Sequence, residues 1–199
     1  MTLLQVGHNS RMSESDPLPQ FVPGSTCLRC EVCCRFPESD SSLRPYFTRE
    51  EIDAAAARGV PYVLFLDPAG SQIALVKDAE SDGYLCPAFD PGTSRCGIYK
   101  QRPLDCQLYP LALMWSEDGT RIELGWDTKC PFMRDAVPKE IHRHAEQVRA
   151  LLQREHTLQI LSRNPRLIGR YQDDVIVLAS LPEVTDRVQA QQPDRRLSP

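Results

Sequence analysis

Four of the eight cysteines in this 199-residue chain fall within eight consecutive positions, Cys27-Leu28-Arg29-Cys30-Glu31-Val32-Cys33-Cys34. A free thiol, with a pKa of about 8.5, is only slightly ionised at neutral pH, and a bound metal makes the thiolate the favoured form. Packing several thiols together therefore makes chemical sense with a metal or a redox partner. The other four, Cys86, Cys96, Cys106 and Cys130, are strung out, with nine, nine and 23 residues between successive members.

Spacing limits which thiols can share a centre. Two residues between cysteines let a tight turn aim both sulfurs at one ion, as in zinc knuckles and iron–sulfur loops. The adjacent Cys33 and Cys34 differ: their Cα atoms lie about 3.8 Å apart and their side chains diverge in a helix or a strand, so such neighbours rarely ligate one ion together. A helical segment would align Cys27, Cys30 and Cys34 and turn Cys33 aside. A ferredoxin-like loop would converge Cys27, Cys30 and Cys33 and turn Cys34 aside. Either way three thiols of the tight group can meet one of the distant group. Cys86-Pro87 and Cys130-Pro131 carry the Cys-Pro pairing that often follows an iron–sulfur ligand. Asp90-Pro91-Gly92 turns the chain between Cys86 and Cys96, and Arg102-Pro103 starts a short turn or helix bearing Cys106. Eight ligands fill two four-thiolate sites, or one such site with thiols left for redox exchange. Any single one of Cys96, Cys106 and Cys130 has a plain core role as its alternative.

Disulfides are the competing use of eight thiols, and composition argues against them. Eight cysteines in 199 residues is below the roughly 8–10% of a disulfide scaffold, and a chain of this length buries a core without staples. Residues 1–20 hold no apolar leader, and the longest nearly apolar run, residues 108–115, contains Pro110 and is far short of the roughly 20 residues that cross a bilayer. A cytoplasmic location, where thiols stay reduced, and no membrane partner are therefore expected. The 23 Lys and Arg nearly balance the 27 Asp and Glu. Residues 138–170 are mildly basic, with seven basic and three acidic groups, but no aromatics interleave with them, so nucleic acid is an unexpected partner. No two of the ten glycines lie within three residues of each other, which excludes a phosphate-cradling loop and a glycine-rich nucleotide fingerprint.

Along the chain, residues 1–22 read as a disordered lead, residues 23–134 as a cysteine-cluster metal-binding domain, residues 135–184 as a helical C-terminal extension and residues 185–199 as a disordered tail. Thr48-Arg49-Glu50-Glu51 is a capping box and Gly59 a stop, so a helix is expected over residues 49–58. One hairpin is expected from residues 62–66 and 72–76 across Asp67-Pro68-Ala69-Gly70. A second joins residues 111–115 to 121–126, where Ile122, Leu124 and Trp126 alternate with Arg121, Glu123 and Gly125. Pro138 opens an amphipathic helix on Ile141, Ala145, Val148 and Leu152 that runs toward residue 162. The expected fold class is α+β, a small Cys-rich metal-binding domain with short β-hairpins and a C-terminal amphipathic helix. His8 falls in the lead, while His142, His144 and His156 are placed on a solvated helix surface. Asp78, Glu80 and Asp82 are placed in a solvated loop.

The tight cysteine group, Cys86-Pro87-Ala88-Phe89-Asp90, Cys96-Gly97-Ile98-Tyr99 and Arg102-Pro103-Leu104-Asp105-Cys106-Gln107-Leu108-Tyr109-Pro110 together resemble the CxxCxxCC (YkgJ-like) family of bacterial cysteine-cluster proteins, over residues 25–132. The resemblance implies a zinc- or iron-chelating domain, described for some members as an iron–sulfur oxidoreductase. Gln107 stands where such proteins often carry Arg, a departure that bears on an outer contact of the site and not on ligation. Flagellin lysine N-methylase is similar in its cysteine cluster, which implies a methyltransferase-like enzyme as one alternative. A structural zinc-binding interaction module is another. The leading expectation is an iron–sulfur cluster, [4Fe–4S], or else zinc, held by thiols drawn from Cys27, Cys30, Cys33, Cys34, Cys86, Cys96, Cys106 and Cys130 and serving electron transfer. Three thiols in one loop with a remote fourth favour the cluster, since zinc sites more often come as separated pairs. A redox or protein partner is left unspecified by the sequence.

Overall fold

The computed structural model describes residues 18–191, apart from residues 28 and 31. The expected lead thus lies outside the described residues up to residue 17, and the expected tail from residue 192. The architecture is α+β. The first part of the chain carries helix α1 (Gly24–Cys27), strand β1 (Arg35–Phe36), strand β2 (Tyr46–Thr48), helix α2 (Arg49–Ala56) and strands β3 (Gly70–Gln72), β4 (Val76–Lys77) and β5 (Tyr84–Leu85). Strands β6 (Phe89–Asp90) and β7 (Arg95–Cys96) and helix α3 (Leu104–Leu108) follow. The second part carries β8 (Leu111–Trp115), β9 (Ile122–Asp127), α4 (Pro131–Arg134), α5 (Pro138–Leu152), α6 (Glu155–Arg163), β10 (Val175–Ser180) and α7 (Pro182–Ala190).

The short strands form three small antiparallel sheets, ordered β1-β5-β4, β2-β3 and β6-β7. Their register places Arg35 opposite Leu85, Tyr46 opposite Gln72 and Phe89 opposite Cys96. Phe36, Phe47, Ile52, Ala55, Phe65, Ile73 and Phe89 bury together between them. The larger sheet, ordered β10-β9-β8, has Leu111 opposite Trp126 and Val175 opposite Asp127. Its apolar residues Leu113, Ile122 and Leu124 pack with Val148 and Leu152 of α5, Leu161 of α6 and Val184 of α7.

Helix α2 has the expected capping box. The Glu51 amide donates to Thr48 Oγ1 at 3.4 Å, and the Thr48 amide donates to Glu51 Oε2 at 2.8 Å. Gly59, with φ of +94°, accommodates the exit from the helix. The β8–β9 hairpin forms as expected.

Elsewhere the structure corrects the sequence reading. Residues 62–64 form a 3-10 turn in place of the first strand of the other hairpin, because the Leu64 amide closes onto the Pro61 carbonyl at 3.0 Å. Only a bridge between Phe65 and Ile73 survives of that pairing, and β3 pairs instead with β2. There the Gln72 amide donates to the Ser42 and Arg44 carbonyls. The single helix toward residue 162 is two helices, broken at Arg154, whose ψ of 145° is extended. The break turns Leu158 and Leu161 back onto the core that Leu152 already occupies. Helix α7 occupies the first residues of the expected tail, because Val184, Thr185 and Val188 are buried against the large sheet. The end of the expected lead is also packed: Val22 is buried, and Phe21 stacks edge-on to Phe132 at 5.9 Å. The Phe21 ring also lies 5.2 Å from His144, which is buried on α5 and not solvated. Asp78 is buried too, accepting from Arg35 Nη1 and Ser81 Oγ, each at 2.7 Å. No helix among the described residues is long and apolar enough to cross a membrane.

Candidate metal centre

The segment carrying the four clustered thiols is a chain of tight turns. Helix α1 is one turn long and ends at Cys27, the Cys30 amide closes onto the Cys27 carbonyl at 3.1 Å, and Val32–Cys34 form a 3-10 turn. Directly after it, β1 pins the segment to the small sheet: the Cys86 amide donates to the Cys34 carbonyl at 3.0 Å, and Arg35 forms its ion pair with buried Asp78. The Phe89 amide closes a turn onto the Cys86 carbonyl at 2.9 Å, and β6 then pairs Phe89 with Cys96. These contacts bring Cys34, Cys86 and Cys96 into one packed cluster.

Two carboxylates fix α3, the helix that carries Cys106. Glu51, already bound to the Thr48 amide, also accepts from the Leu104 amide at 2.7 Å, tying the start of α3 to α2. Asp105 accepts from the Tyr46 amide at 2.8 Å, tying α3 to β2. Burial raises the Glu51 carboxyl above its ordinary range and pushes Asp105 up to about 6. Cys130 caps α4, with Pro131 in its first turn, and packs with Cys27, Val22, Met133 and Ile141.

All eight cysteines are free thiols; Cys86 and Cys130 are buried, Cys33 is exposed and the other five are half-buried. Burial is the largest influence raising Cys27, Cys86, Cys96, Cys106 and Cys130, with Cys86 reaching about 12. Neighbouring thiols add to it. Cys33 acts on Cys27, Cys86, Cys96, Cys106 and Cys130; Cys106 also feels Cys86 and Cys96, Cys130 feels Cys30, and Cys27 feels Cys130 and Cys30. The Cys34 thiol donates to the Cys33 sulfur, which lowers Cys33 to about 7 and drives Cys34 up. Such a set stays largely protonated until a cation compensates its charge, which is the chemistry of a thiolate metal site.

One fixed cation lies among the thiols. The Arg102 guanidinium stacks on the Tyr99 ring at 4.1 Å, donates to the Tyr99 carbonyl at 3.4 Å and lowers Cys27, Cys33 and Cys96. Its Nε and the Tyr99 hydroxyl are buried with no hydrogen-bond partner among the described residues. The Gln107 side chain donates to the Arg102 carbonyl at 2.9 Å and so braces the same loop. The Arg102-Pro103 pair reads in sequence only as the start of a turn, and its role as the local counter-charge becomes visible when the Tyr99 stack is in view. No group of three or more Cys, His, Asp or Glu side chains among the described residues is yet close enough to hold an ion. The donor set suits a thiophilic metal, and loading it requires the sulfurs to close up.

The fold and its eight free thiols define an α+β cysteine-rich protein. The chain belongs to the CxxCxxCC family, whose model, described as "Putative zinc- or iron-chelating domain", matches residues 26–131. No curated protein and no solved structure matches the chain.

Proposed function

We propose that the protein holds an iron–sulfur cluster, [4Fe–4S], through thiolates of its cysteine set and serves electron transfer. The observation that carries this reading is the conformation of the tight cysteine group. Because α1 stops at Cys27 and a separate 3-10 turn follows at Val32–Cys34, the segment is not one helix, which supports the loop arrangement of Cys27, Cys30 and Cys33. Three thiols from one loop and a remote fourth, here a Cys-Pro cysteine such as Cys130, is the ligand grammar of iron–sulfur loops. A bound cluster would supply a one-electron couple, and the chain would supply thiolates, a largely apolar surround and the Arg102 charge, all of which tune its potential.

Structural zinc is the second reading. It is supported by the two- and three-residue strands of the cysteine part, which a structural metal would tie together. Anaerobic purification followed by metal and acid-labile sulfide analysis separates the two. Iron with equimolar sulfide and the broad visible absorption of a cluster supports the first reading. Stoichiometric zinc without sulfide overturns it in favour of the second.

A further inference from the structure

We propose that residues 192–199 seat in the cleft beside the β8–β9 turn, with Arg195 and Arg196 on its carboxylates and Leu197 on its apolar wall. The cleft, of about 530 Å³, is lined by Glu117, Asp118, Arg121 and Glu123 of the hairpin, by Tyr171 and by Val177 of β10. No cysteine lines it, so the inference stands apart from the metal reading.

The course of α7 carries the chain to this place. The Leu181 amide donates to the Ile122 carbonyl at 2.9 Å, and the Ile122 amide donates to Thr185 Oγ1 at 2.9 Å. Further along, Gln189 Nε2 donates to the Thr120 carbonyl at 3.0 Å. Helix α7 thus runs along the start of β9 toward the hairpin turn, and the described chain ends there, at Gln191. Four residues of extended chain cover about 13 Å, which brings Arg195 within reach of Glu117 and Asp118, neighbours of Thr120 in the same turn.

Charge selects the occupant. Three carboxylates line the cleft against one guanidinium, and that guanidinium is already engaged, Arg121 Nε pairing with Glu123 Oε1 at 2.9 Å. Asp118 Oδ1 accepts only from its own turn, from Ser116 Oγ and from the amide and hydroxyl of Thr120. Glu117 is exposed and has no ion-pair partner among the described residues. Residues 192–199 have the opposite balance, Arg195 and Arg196 against Asp194. The forked donors of arginine match carboxylates, and a concave surface of one sign concentrates the attraction. Val177 and Tyr171, each 44% exposed, offer the apolar surface that Leu197 would cover. The same face of a second copy would set like charges against like, which disfavours self-pairing there.

Trypsin, which cuts after Arg195 and Arg196, tests the seating on the full chain, with mass spectrometry reading the cleaved bonds. Cleavage follows the population of unseated chain, so these bonds should be cut at least about tenfold more slowly than in a synthetic peptide of residues 191–199. In about 1 M salt, where the screening length falls to about 3 Å, the two rates should converge. Glu117→Lys and Val177→Ser, both at exposed positions, should each remove most of the protection and leave the metal content unchanged. Cleavage of the wild-type chain at the peptide's rate overturns the proposal, as does protection that neither variant alters. Protection that grows with protein concentration assigns the segment to the cleft of a second copy and overturns seating within one chain. Should a variant fail to fold, amide exchange decides: a chain ending at Gln191 should exchange faster than the full chain over residues 116–121, and equal exchange overturns the proposal.

Discussion

Residues 35–96 spread seven strands of two or three residues over three small sheets, whereas residues 111–190 lay one sheet of five- and six-residue strands against three helices. Strands in globular proteins usually run about 5–6 residues, and a two-stranded pair is marginal alone. The C-terminal part therefore meets the ordinary terms of stability: Ile122, Leu124, Leu152, Leu161, Leu181 and Val184 are each fully buried, and the sheet is continuous. The cysteine part has its own apolar core, and single side chains tie its short elements together: Glu51 joins α2 to α3, Asp105 joins α3 to β2, Asp78 holds Arg35 of β1, and the Gln72 side chain reaches the segment ahead of β2. The difference teaches where a metal would matter. A cross-link among thiols on five separate segments adds most to the part whose backbone pairing is poorest.

The largest expected effect breaks the molecule along that line. Structural metal sites contribute on the order of 10–16 kcal/mol in small zinc domains. Stripping metal from the loaded chain with a chelator should abolish amide-exchange protection across β1–β7 and leave it in β8, β9 and β10. Equal loss in both parts would refute the comparison. Next in size is Leu124→Ala, which opens a cavity in the C-terminal core and should cost about 2–5 kcal/mol in denaturant unfolding, with metal content unchanged. Glu51→Ala strands the buried Thr48 and Leu104 amides, for a cost of about 1–3 kcal/mol, and should speed alkylation of Cys106 in the apo chain. Glu51→Gln, which keeps one acceptor oxygen, should do less.

The smallest effect is the share of the pH dependence that His144 carries, opposite in sign to that of the buried Asp105 carboxyl. Burial lowers the His144 pKa, so the fold prefers the neutral ring. Stability from this preference is present above the ordinary imidazole value and is lost as pH falls through the lowered one, because the unfolded chain takes up the proton first. Unfolding curves at neutral and mildly acidic pH should show a difference that shrinks in His144→Leu. An unchanged slope would mean that the ring is solvated in solution.

What the sequence carries openly is local. The Thr48 capping box, the alternation of Ile122, Leu124 and Trp126, and the thiol spacing each act within a few residues, and α2, the β8–β9 hairpin and the turn-built cysteine segment are all present. What it conceals depends on distant partners. Gln153 and Arg154 are good helix formers, and only the shared core beneath Leu152 and Leu161 explains the break between them. Residues 62–66 have strand composition but lose their partner to β2. Asp78 becomes a buried anchor only when β4 and β5 bring Arg35 to it. Arg102 acquires a role only beside Tyr99. Residues 175–180, read in sequence as part of a helical extension, are the strand β10, because they pair with β9 some 50 residues earlier.

The β8–β9 hairpin spans most of the 23 residues that separate Cys106 from Cys130. Its open end is clasped where the Asp127 amide meets the Pro110 carbonyl at 2.8 Å, and its closed end is the Ser116–Arg121 turn, where Gly119 faces open space. Sequence length and thiol separation are thereby uncoupled. Residues inserted at position 119 should lengthen the loop while Cys106 and Cys130 keep their spacing, so chains of different size can carry the same centre, and that tip is the natural place to graft a tag or a second domain.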